Sequence, residues 1–554
     1  MKKNTLLWVI RQIRNRIPAL MLLTAACIGD ALLGVFFALG SRGVIDSAVS
    51  GQWGAFRSAC FWQAAIILGI LLCITVSRHM TERLRAELER DWKKKLLHGL
   101  LHGEFSDVKS YHSGELLNRM NNDVTRVNDG ILSIVPSTAS MVTKLIAAVT
   151  VLGLLDLKFM LLIAIVGIVV IAATAMMRQK LKELNKSVSQ SDGNVSSFLQ
   201  EIMEKLLMVQ AMDVAQEVEK RSEQMLDERY GLQRRRKNVS LLANTSISLM
   251  SYGAGYLALV WCAIRLMRGE MSFGSLTAVI QLVNQIRTPF VGLSGVLPKY
   301  LAMTASAERL MELDAIQGEP APMAEDPKAL YDRMESLNGK SLTFSYNRDR
   351  VLENAEFHLP KGAFCVIAGP SGIGKSTLLK LLLGIFRQEA GELYASAEQE
   401  KILLDRSTRR LFAYVPQGNL LLSGTLRENL TIVNPNATEE ALRQAVYVSA
   451  VDDFLDTLPQ GLDTPLGEGG AGLSEGQAQR LAIARAVLGN APVLLLDECT
   501  SALDEQTEQT VLQRLKELKD RTCIIVTHRP AAMELCDWRL DMKDGKIFAA
   551  NHNS

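Results

Sequence analysis

The 554-residue chain lacks any excess of charge: 61 Lys and Arg stand against 59 Asp and Glu, a formal +2. A nucleic-acid partner needs a strongly basic face, so none is expected. Its eight cysteines, Cys27, Cys60, Cys73, Cys262, Cys365, Cys499, Cys523 and Cys536, contain no CxxC pair. That excludes a disulfide framework and a thiolate metal site, and leaves them as small buried hydrophobes. The start, Met1-Lys2-Lys3, lacks the small-residue cleavage site that follows the short apolar core of a signal peptide. Proline is also missing from the charged stretch Thr81–Leu101, so nothing there interrupts a helix.

What the chain has in quantity is long apolar runs, all in its first 300 or so residues. Six candidate spans, Pro18–Gly40, Ala59–Ser77, Leu132–Leu155, Phe159–Met177, Leu241–Met267 and Ser275–Leu297, each approach the ~20 residues that a bilayer requires. Lys and Arg crowd the N-terminus and the segments Arg78–Gly130 and Arg178–Asn238, while the intervening loops carry few. The positive-inside rule then puts both termini in the cytoplasm. Thr81–Leu101 and Arg178–Leu232 read as helices continuing past the membrane. At 1.5 Å per residue, ~25 such residues reach roughly 35–40 Å, a lever rather than a loop. Leu6, Leu7, Trp8, Ile10 and Ile13 alternate with Arg11, Arg14 and Arg16, which suits an amphipathic helix at a membrane surface. Asp30 and Lys144 fall mid-span, where a charge is costly unless it faces a partner or a cavity. They are expected to line a substrate path, to pair with each other, or to face a hydrated bundle interior. Gln281, Asn284, Gln285 and Arg287, followed by Pro289, form a polar stripe on the sixth span, suited to a cavity wall or to helix–helix contact.

The Pro- and acid-rich stretch Gln317–Pro327 reads as a linker. The expected division is 1–315 for the membrane domain, 316–332 for the linker and 333–554 for a soluble domain. In the last, apolar strands alternate with helical patterns, which predicts α/β with a mostly parallel sheet. Gly369-Pro370-Ser371-Gly372-Ile373-Gly374-Lys375-Ser376-Thr377 fits the phosphate-loop pattern, between a strand Phe364–Ala368 and a helix from Leu378. Glycines let the backbone turn its N–H groups on phosphate oxygens, and the helix adds the positive end of its dipole. Lys375 then sits on the β- and γ-phosphates of ATP, and Ser376 offers a hydroxyl to Mg²⁺. Tyr346 precedes the loop. After it come Ala413-Tyr414-Val415-Pro416-Gln417, then Leu473-Ser474-Glu475-Gly476-Gln477 heading a helix Gln479–Gly489. Val493–Leu496 ends in Asp497-Glu498, Ser501-Ala502-Leu503-Asp504 follows, and Thr522–Thr527 ends in His528.

That order of motifs resembles the ATP-binding cassette transporters, and among them an exporter-type half-transporter: six spans, then one nucleotide-binding domain. Ser113–Arg119, Asn122-Asp123-Val124 and Ala307-Glu308-Arg309-Leu310 resemble the family's first intracellular loop and the exit from its last span. The resemblance implies that Tyr346 stacks on adenine, and that Gly369–Thr377 hold the phosphates. Ser376, Gln417 and Asp497 surround Mg²⁺, with Glu498 as general base and His528 on the γ-phosphate. Ser474, Gly476 and Gln477 close ATP held by a second subunit, and Asp504 works across the same interface. A lone chain then has no complete site, and a homodimer or heterodimer is the working unit. Helix tips near Tyr111–Leu117 and Glu201–Met208 would carry closure into alternating access.

Two positions depart from the family pattern. Glu475 stands where the usual signature, Leu-Ser-Gly-Gly-Gln, has its first glycine, and Lys205 stands where the second coupling loop often has glycine. A side chain at 475 that points away is harmless. One that points inward weakens the half-site and favours a heterodimer. The expected function is ATP-driven export of a lipid, hydrophobic drug or peptide across a membrane, with a bacterial inner membrane the setting that this layout suits. Import on the same fold, and an ATP-gated conductance or regulatory ATPase, are the alternatives. No peptidase domain precedes the first span, so leader processing is not expected.

Overall fold

The computed structural model describes residues 2–316, 318, 326–346, 349–398, 400–418 and 421–551. Gln317 and residues 319–325 of the expected linker fall outside the described residues, as does the side chain of Arg287. The chain divides into two compact units, Met1–Leu97 with Ser113–Ala315 and His98–His112 with Ile316–Ser554.

The first unit is helical. α1 (Lys2–Gln12) leads into α2 (Ile17–Val49), which opens on Pro18, where a missing N–H costs nothing. α3 (Trp53–His102) runs 50 residues without a break. At 1.5 Å per residue that is roughly 75 Å, more than twice an ~30 Å hydrocarbon core. α4 (Phe105–Lys109) belongs to the second unit. α5 (Ser113–Asn118) joins α6 (Val124–Leu155) through a π-helical turn, Arg119–Asp123. α7 (Leu157–Glu204), α8 (Leu206–Ala211), α9 (Ala215–Met267) and α10 (Phe273–Asp314) complete the unit. Among the described residues, Arg14–Val49, Trp53–His102 and Ser113–Leu155 are long and apolar enough to cross a membrane. Shorter apolar stretches, Tyr252–Met267 and Phe273–Ile286, fall on the fifth and sixth expected spans. Most side chains of the fourth lie outside the described residues.

Two expectations need correction in this unit, and one of the three alternatives for Asp30 and Lys144 falls. Arg178–Leu232 is not one helix: it breaks at Lys205 and again at Met212–Val214, where Asp213 takes a left-handed φ of 53°. The N-terminal helix does not merely lie at a surface. Val9 and Ile13 are buried, and Trp8 packs on Trp92 with its Nε1–H donated to Asp314 at 2.9 Å; Leu7 and Ile10 remain exposed. No ion pair joins Asp30 to Lys144. Lys144 borders a cavity of about 330 Å³ with Ser77, Thr81, Ser133, Ser137 and Ser140, and Asp30 is not on its wall.

Polar ties fix the ends of these helices. Asp156 caps α7 by accepting from Phe159 N, and also accepts from Trp261 and Arg265 on α9. At the foot of α6, Asp123 is fully buried and accepts from Ser306 at 2.8 Å and from Arg309 at 2.7 and 2.5 Å.

The second unit is α/β. A four-stranded antiparallel sheet has the order β2-β1-β4-β5: β1 Met334–Tyr346, β2 Asp349–Pro360, β4 Ala390–Ala397 and β5 Glu400–Leu403. A six-stranded sheet has the order β12-β11-β3-β10-β9-β6, from β3 Phe364–Ala368, β6 Phe412–Val415, β9 Val493–Asp497, β10 Thr522–Val526, β11 Trp538–Lys543 and β12 Lys546–Asn551. Its strands pair in parallel, except for the hairpin of β11 with β12. β3, β9 and β10 are buried throughout, as strands covered on both faces must be, and this explains their unbroken apolar runs. A short pair, β7 Gly424–Thr425 and β8 Pro465–Leu466, lies apart. The sequence predicts one mostly parallel sheet; the antiparallel sheet is the addition. Its strands alternate in burial and carry polar residues, so they lack the apolar signal of the central strands.

The helices of this unit are α11 (Pro327–Arg333), α12 (Lys375–Leu382), α13 (Leu426–Thr431), α14 (Glu439–Val448), α15 (Asp452–Leu455), α16 (Glu475–Leu488), α17 (Glu505–Lys516) and α18 (Pro530–Leu535). α16 starts four residues before the predicted Gln479, because Ser474 caps it there. α4 packs in this unit: the Phe105 ring is 6.0 Å from that of Phe386, and Glu104 pairs with Arg387 at 2.9 Å.

Candidate functional site

The site grows from the carboxyl ends of β3, β6, β9 and β10, where open parallel sheets bind ligands. β3 ends at Ala368, and the loop turns on Gly369 (φ 147°), Gly372 (φ 81°) and Gly374 (φ 108°). A Cβ on Gly369 would lie 2.6 Å from the Met542 carbonyl oxygen, and one on Gly374 would lie 2.2 Å from Val351 Cγ1. Both positions therefore demand glycine on two counts. Pro370 and Ile373 brace the loop through a bond from Ile373 N to Pro370 O, and Ser371 is exposed on it.

Lys375 opens α12 and is buried. Its Nζ donates to Gly369 O at 2.8 Å, to Pro370 O at 3.0 Å and to His528 Nε2 at 2.8 Å. An ammonium can only donate, so His528 accepts here through a deprotonated nitrogen. Burial pushes the Lys375 ammonium below the ordinary lysine value, against the pull of Glu498 and Asp497. Ser376 donates to Asp497 Oδ1 at 2.9 Å, and Tyr414 to Asp497 Oδ2 at 3.1 Å. Burial pushes the Asp497 carboxyl above its ordinary value although both bonds oppose it. It pushes the Tyr414 phenol well above its own.

Glu498 leaves β9 in a left-handed conformation, φ 49°, held by its N–H on Val526 O at 3.0 Å. A non-glycine residue there stores strain, which collects at functional sites. Gln417 Nε2 donates to Glu498 Oε2 at 2.7 Å. Tyr346, at the end of β1, shares a hydrogen bond with Thr377 at 3.2 Å, and its ring stands edge-on to Phe344 and Phe386. Tyr346, Gly369–Thr377, Gln417, Asp497, Glu498 and His528 thus form one cluster. Tyr414 is the member that sequence reasoning passed over. Only the register of β6 beside β9 turns its phenol to Asp497.

Ser474, Gly476 and Gln477 share no hydrogen bond with that cluster among the described residues. Ser474 Oγ accepts from Gln477 N at 3.3 Å, and Gln477 Oε1 accepts from Ser474 N at 2.8 Å, a reciprocal capping box. Gly476 is needed because a Cβ would lie 2.9 Å from Ala502 O. Glu475 is exposed in the first turn of α16. Asp504 caps α17 by accepting from Thr507 N at 2.9 Å, which holds its carboxyl below the ordinary value.

A glycine-built cradle, a buried ammonium and the helix start of α12 together suit a polyphosphate. The oxygens of Ser376, Asp497 and Gln417 suit a hard divalent cation such as Mg²⁺.

Comparison with known proteins agrees with this chemistry. A family model described as the ABC transporter transmembrane region matches residues 18–290, and one described as ABC transporter matches 352–501. The mycobactin import ATP-binding/permease protein IrtB of Mycolicibacterium smegmatis is 32% identical over 401 residues, 70% of this chain and 67% of the relative. The chain belongs to the ATP-binding cassette transporters. The ATP-dependent lipid A-core flippase of Photobacterium profundum is 29% identical over 456 residues, 80% of this transporter and 76% of the flippase. A solved bacterial Atm1-family ABC exporter with ATP bound shares its fold, with a TM-score of 0.79 at 22% identity, covering 98% of this chain and 95% of that one. The transporter is therefore an integral membrane protein with a helical transmembrane domain fused to an ATP-binding domain, and it couples ATP hydrolysis to transport.

Proposed function

We propose that this transporter works as a dimer of half-transporters that exports an amphiphilic substrate across a bacterial inner membrane, with both termini and the nucleotide-binding domain in the cytoplasm. The observation that carries the dimer is the division of the site. The phosphate-loop cluster gathers the groups that this reading assigns to phosphate and metal, while Ser474, Gly476 and Gln477 stand at the exposed start of α16 and share no hydrogen bond with it among the described residues. On this reading each ATP lies between the loop of one subunit and the signature of its partner.

Within one site, the loop N–H groups and Lys375 hold the phosphates and Tyr346 stacks on the base. Lys375 must leave the loop carbonyls and His528 to reach a phosphate, and this frees His528 for the γ-phosphate. Ser376, Gln417 and Asp497 would hold Mg²⁺, which supplies neutralisation of phosphate charge when bound. Glu498 orients and deprotonates the attacking water, and Gln417 is already at its carboxylate. Phosphoryl transfer needs positioning and charge placement above all, and on this reading the cluster supplies both.

The substrate reading rests on the relatives' names, which include lipid A-core and fatty acid, and on the membrane unit's cavity. A lysine without an ion-pair partner among the described residues, surrounded by hydroxyls at span depth, fits a molecule with a polar head and an apolar body. The test is ATP-dependent uptake of a fluorescent phospholipid or fatty acid into inside-out vesicles. Uptake that the Glu498→Gln variant loses supports export. ATP-dependent loss of preloaded probe from the same vesicles supports import, the reading favoured by the mycobactin relative.

A further inference from the structure

Behind the site lies a polar group that the reading above does not use. Arg529 follows His528 and sends its guanidinium back to the loop after Glu498. Its NH1 donates to Leu503 O at 2.8 Å and to Glu508 Oε2 at 3.0 Å, and its NH2 donates to Ser501 O. Glu508, on α17, is 2% exposed, and its other oxygen accepts from Thr500 Oγ1 at 2.7 Å. From the opposite side Gln479, on α16, donates to Ser501 Oγ at 3.0 Å and accepts from Ala502 N at 3.0 Å. The His528 backbone is fixed as well, because Arg529 N donates to Thr527 Oγ1 at 3.1 Å.

We propose that Arg529, anchored by Glu508, is a positioning residue that makes the His528 segment and the loop Ser501–Asp504 move as one body, with Gln479 extending that body to the signature helix. A planar fork meeting one carboxylate and two carbonyls is a geometry that guanidinium satisfies and an ammonium does not. A buried carboxylate with both oxygens bonded leaves the loop one arrangement. His528 also accepts from Lys375. Release of that bond by a phosphate is therefore felt, through Arg529, at Ser501–Asp504 and at α16. The tie transmits occupancy of one loop to the surface offered to the partner. The inference deepens the two-subunit ATPase reading and rests on it.

The test uses the full-length transporter in lipid nanodiscs, with Arg529→Lys and Glu508→Gln. Glu508→Gln keeps the side chain's shape and a hydrogen-bonding oxygen, so it covers the case in which the first variant folds poorly. The expected result for both is a kcat at least about tenfold lower with KM for ATP within about twofold. The Hill coefficient for ATP should fall toward one, and the melting temperature should stay within about 3 °C of the parent. A merely structural role would lower the melting temperature and the active fraction together and leave the Hill coefficient of the remaining activity unchanged; that result overturns the inference. So does a kcat within twofold of the parent in both variants. Glu498→Gln separates the two readings. If it stops ATP hydrolysis while both variants are silent, only the positioning role fails. If it leaves hydrolysis intact, the assignment of Glu498 as the base, on which the two-subunit site reading rests, fails with it.

Discussion

Two corners of one domain handle their polar groups in opposite ways. In the phosphate-loop corner, Lys375, Ser376, Gln417 and Asp497 are all hydrogen-bonded to one another's neighbourhood, and Lys375 and Asp497 are buried. In the signature corner, the side chains of Ser474 and Gln477 bond only each other's backbone among the described residues, at an exposed helix start. The first corner is a site with its charges stored inside. The second is a surface kept regular by a capping box, which adds stability to α16. The positive dipole end of that exposed helix start suits an anion delivered from outside the chain.

The largest effect should come from breaking the first corner. Lys375→Ala removes the ammonium, and Glu498→Gln removes the base; each should lower ATP turnover at least about 100-fold, since one well-placed charge-stabilising group is commonly worth that much. The two should differ in binding. Glu498→Gln keeps nucleotide affinity, whereas Lys375→Ala weakens it, which a nucleotide-binding titration separates.

The comparison itself is broken or upheld by mixing subunits. A Lys375→Ala chain has an intact signature, and a Ser474→Arg chain has an intact loop. Each alone should be inactive. Co-assembled, half of the dimers should regain one complete site, with recovery of about a tenth to a quarter of the parent turnover. No recovery in dimers of verified mixed composition would mean that each chain builds its own site, and the contrast between the corners would lose its meaning.

Much of this was readable in the residues. Gly369–Thr377 is legible because a loop with several positive φ angles is made at least cost by glycine, and Asp497-Glu498 because a fully buried strand must be apolar until it reaches the ligand. The six long helices showed in their apolar runs for the same reason. What could not be read depends on register between distant strands. Tyr414 meets Asp497 only because β6 lies beside β9, and Arg529 meets Glu508 across 21 positions of chain. The break at Asp213 was hidden for another reason. It consists of a single residue in a conformation that aspartate tolerates, within a stretch whose charged residues all suit a helix.

A smaller effect sharpens the first corner. Tyr414→Phe leaves Asp497 Oδ2 without its donor, a loss of about 1 kcal/mol, or about fivefold in turnover. Asp497 already titrates above its ordinary value through burial, so it costs stability at neutral pH, and that cost fades as pH falls through the raised value. Removing an opposing hydrogen bond raises it further. The acid limb of the pH–turnover profile should therefore move to higher pH in the variant, and an unmoved limb would mean that Asp497 is not the group that sets it.

The smallest effect should be at Glu475. Its carboxylate sits in the first turn of α16, where the helix dipole favours a negative charge by roughly 0.3–1 kcal/mol at an exposed position. Glu475→Gly forfeits that term and adds the glycine cost of a helical site, so the isolated nucleotide-binding surface gains nothing in stability. If the side chain points away from the bound anion, turnover should stay within about twofold and salt should not alter the ratio. If it faces the anion, the same change removes a repulsion of like charges. Turnover should then rise, and rise most at low ionic strength, where that repulsion is least screened. Measuring the Glu475→Gly to parent ratio at two salt concentrations therefore decides whether the signature corner of this chain is merely exposed or held partly closed by its own charge.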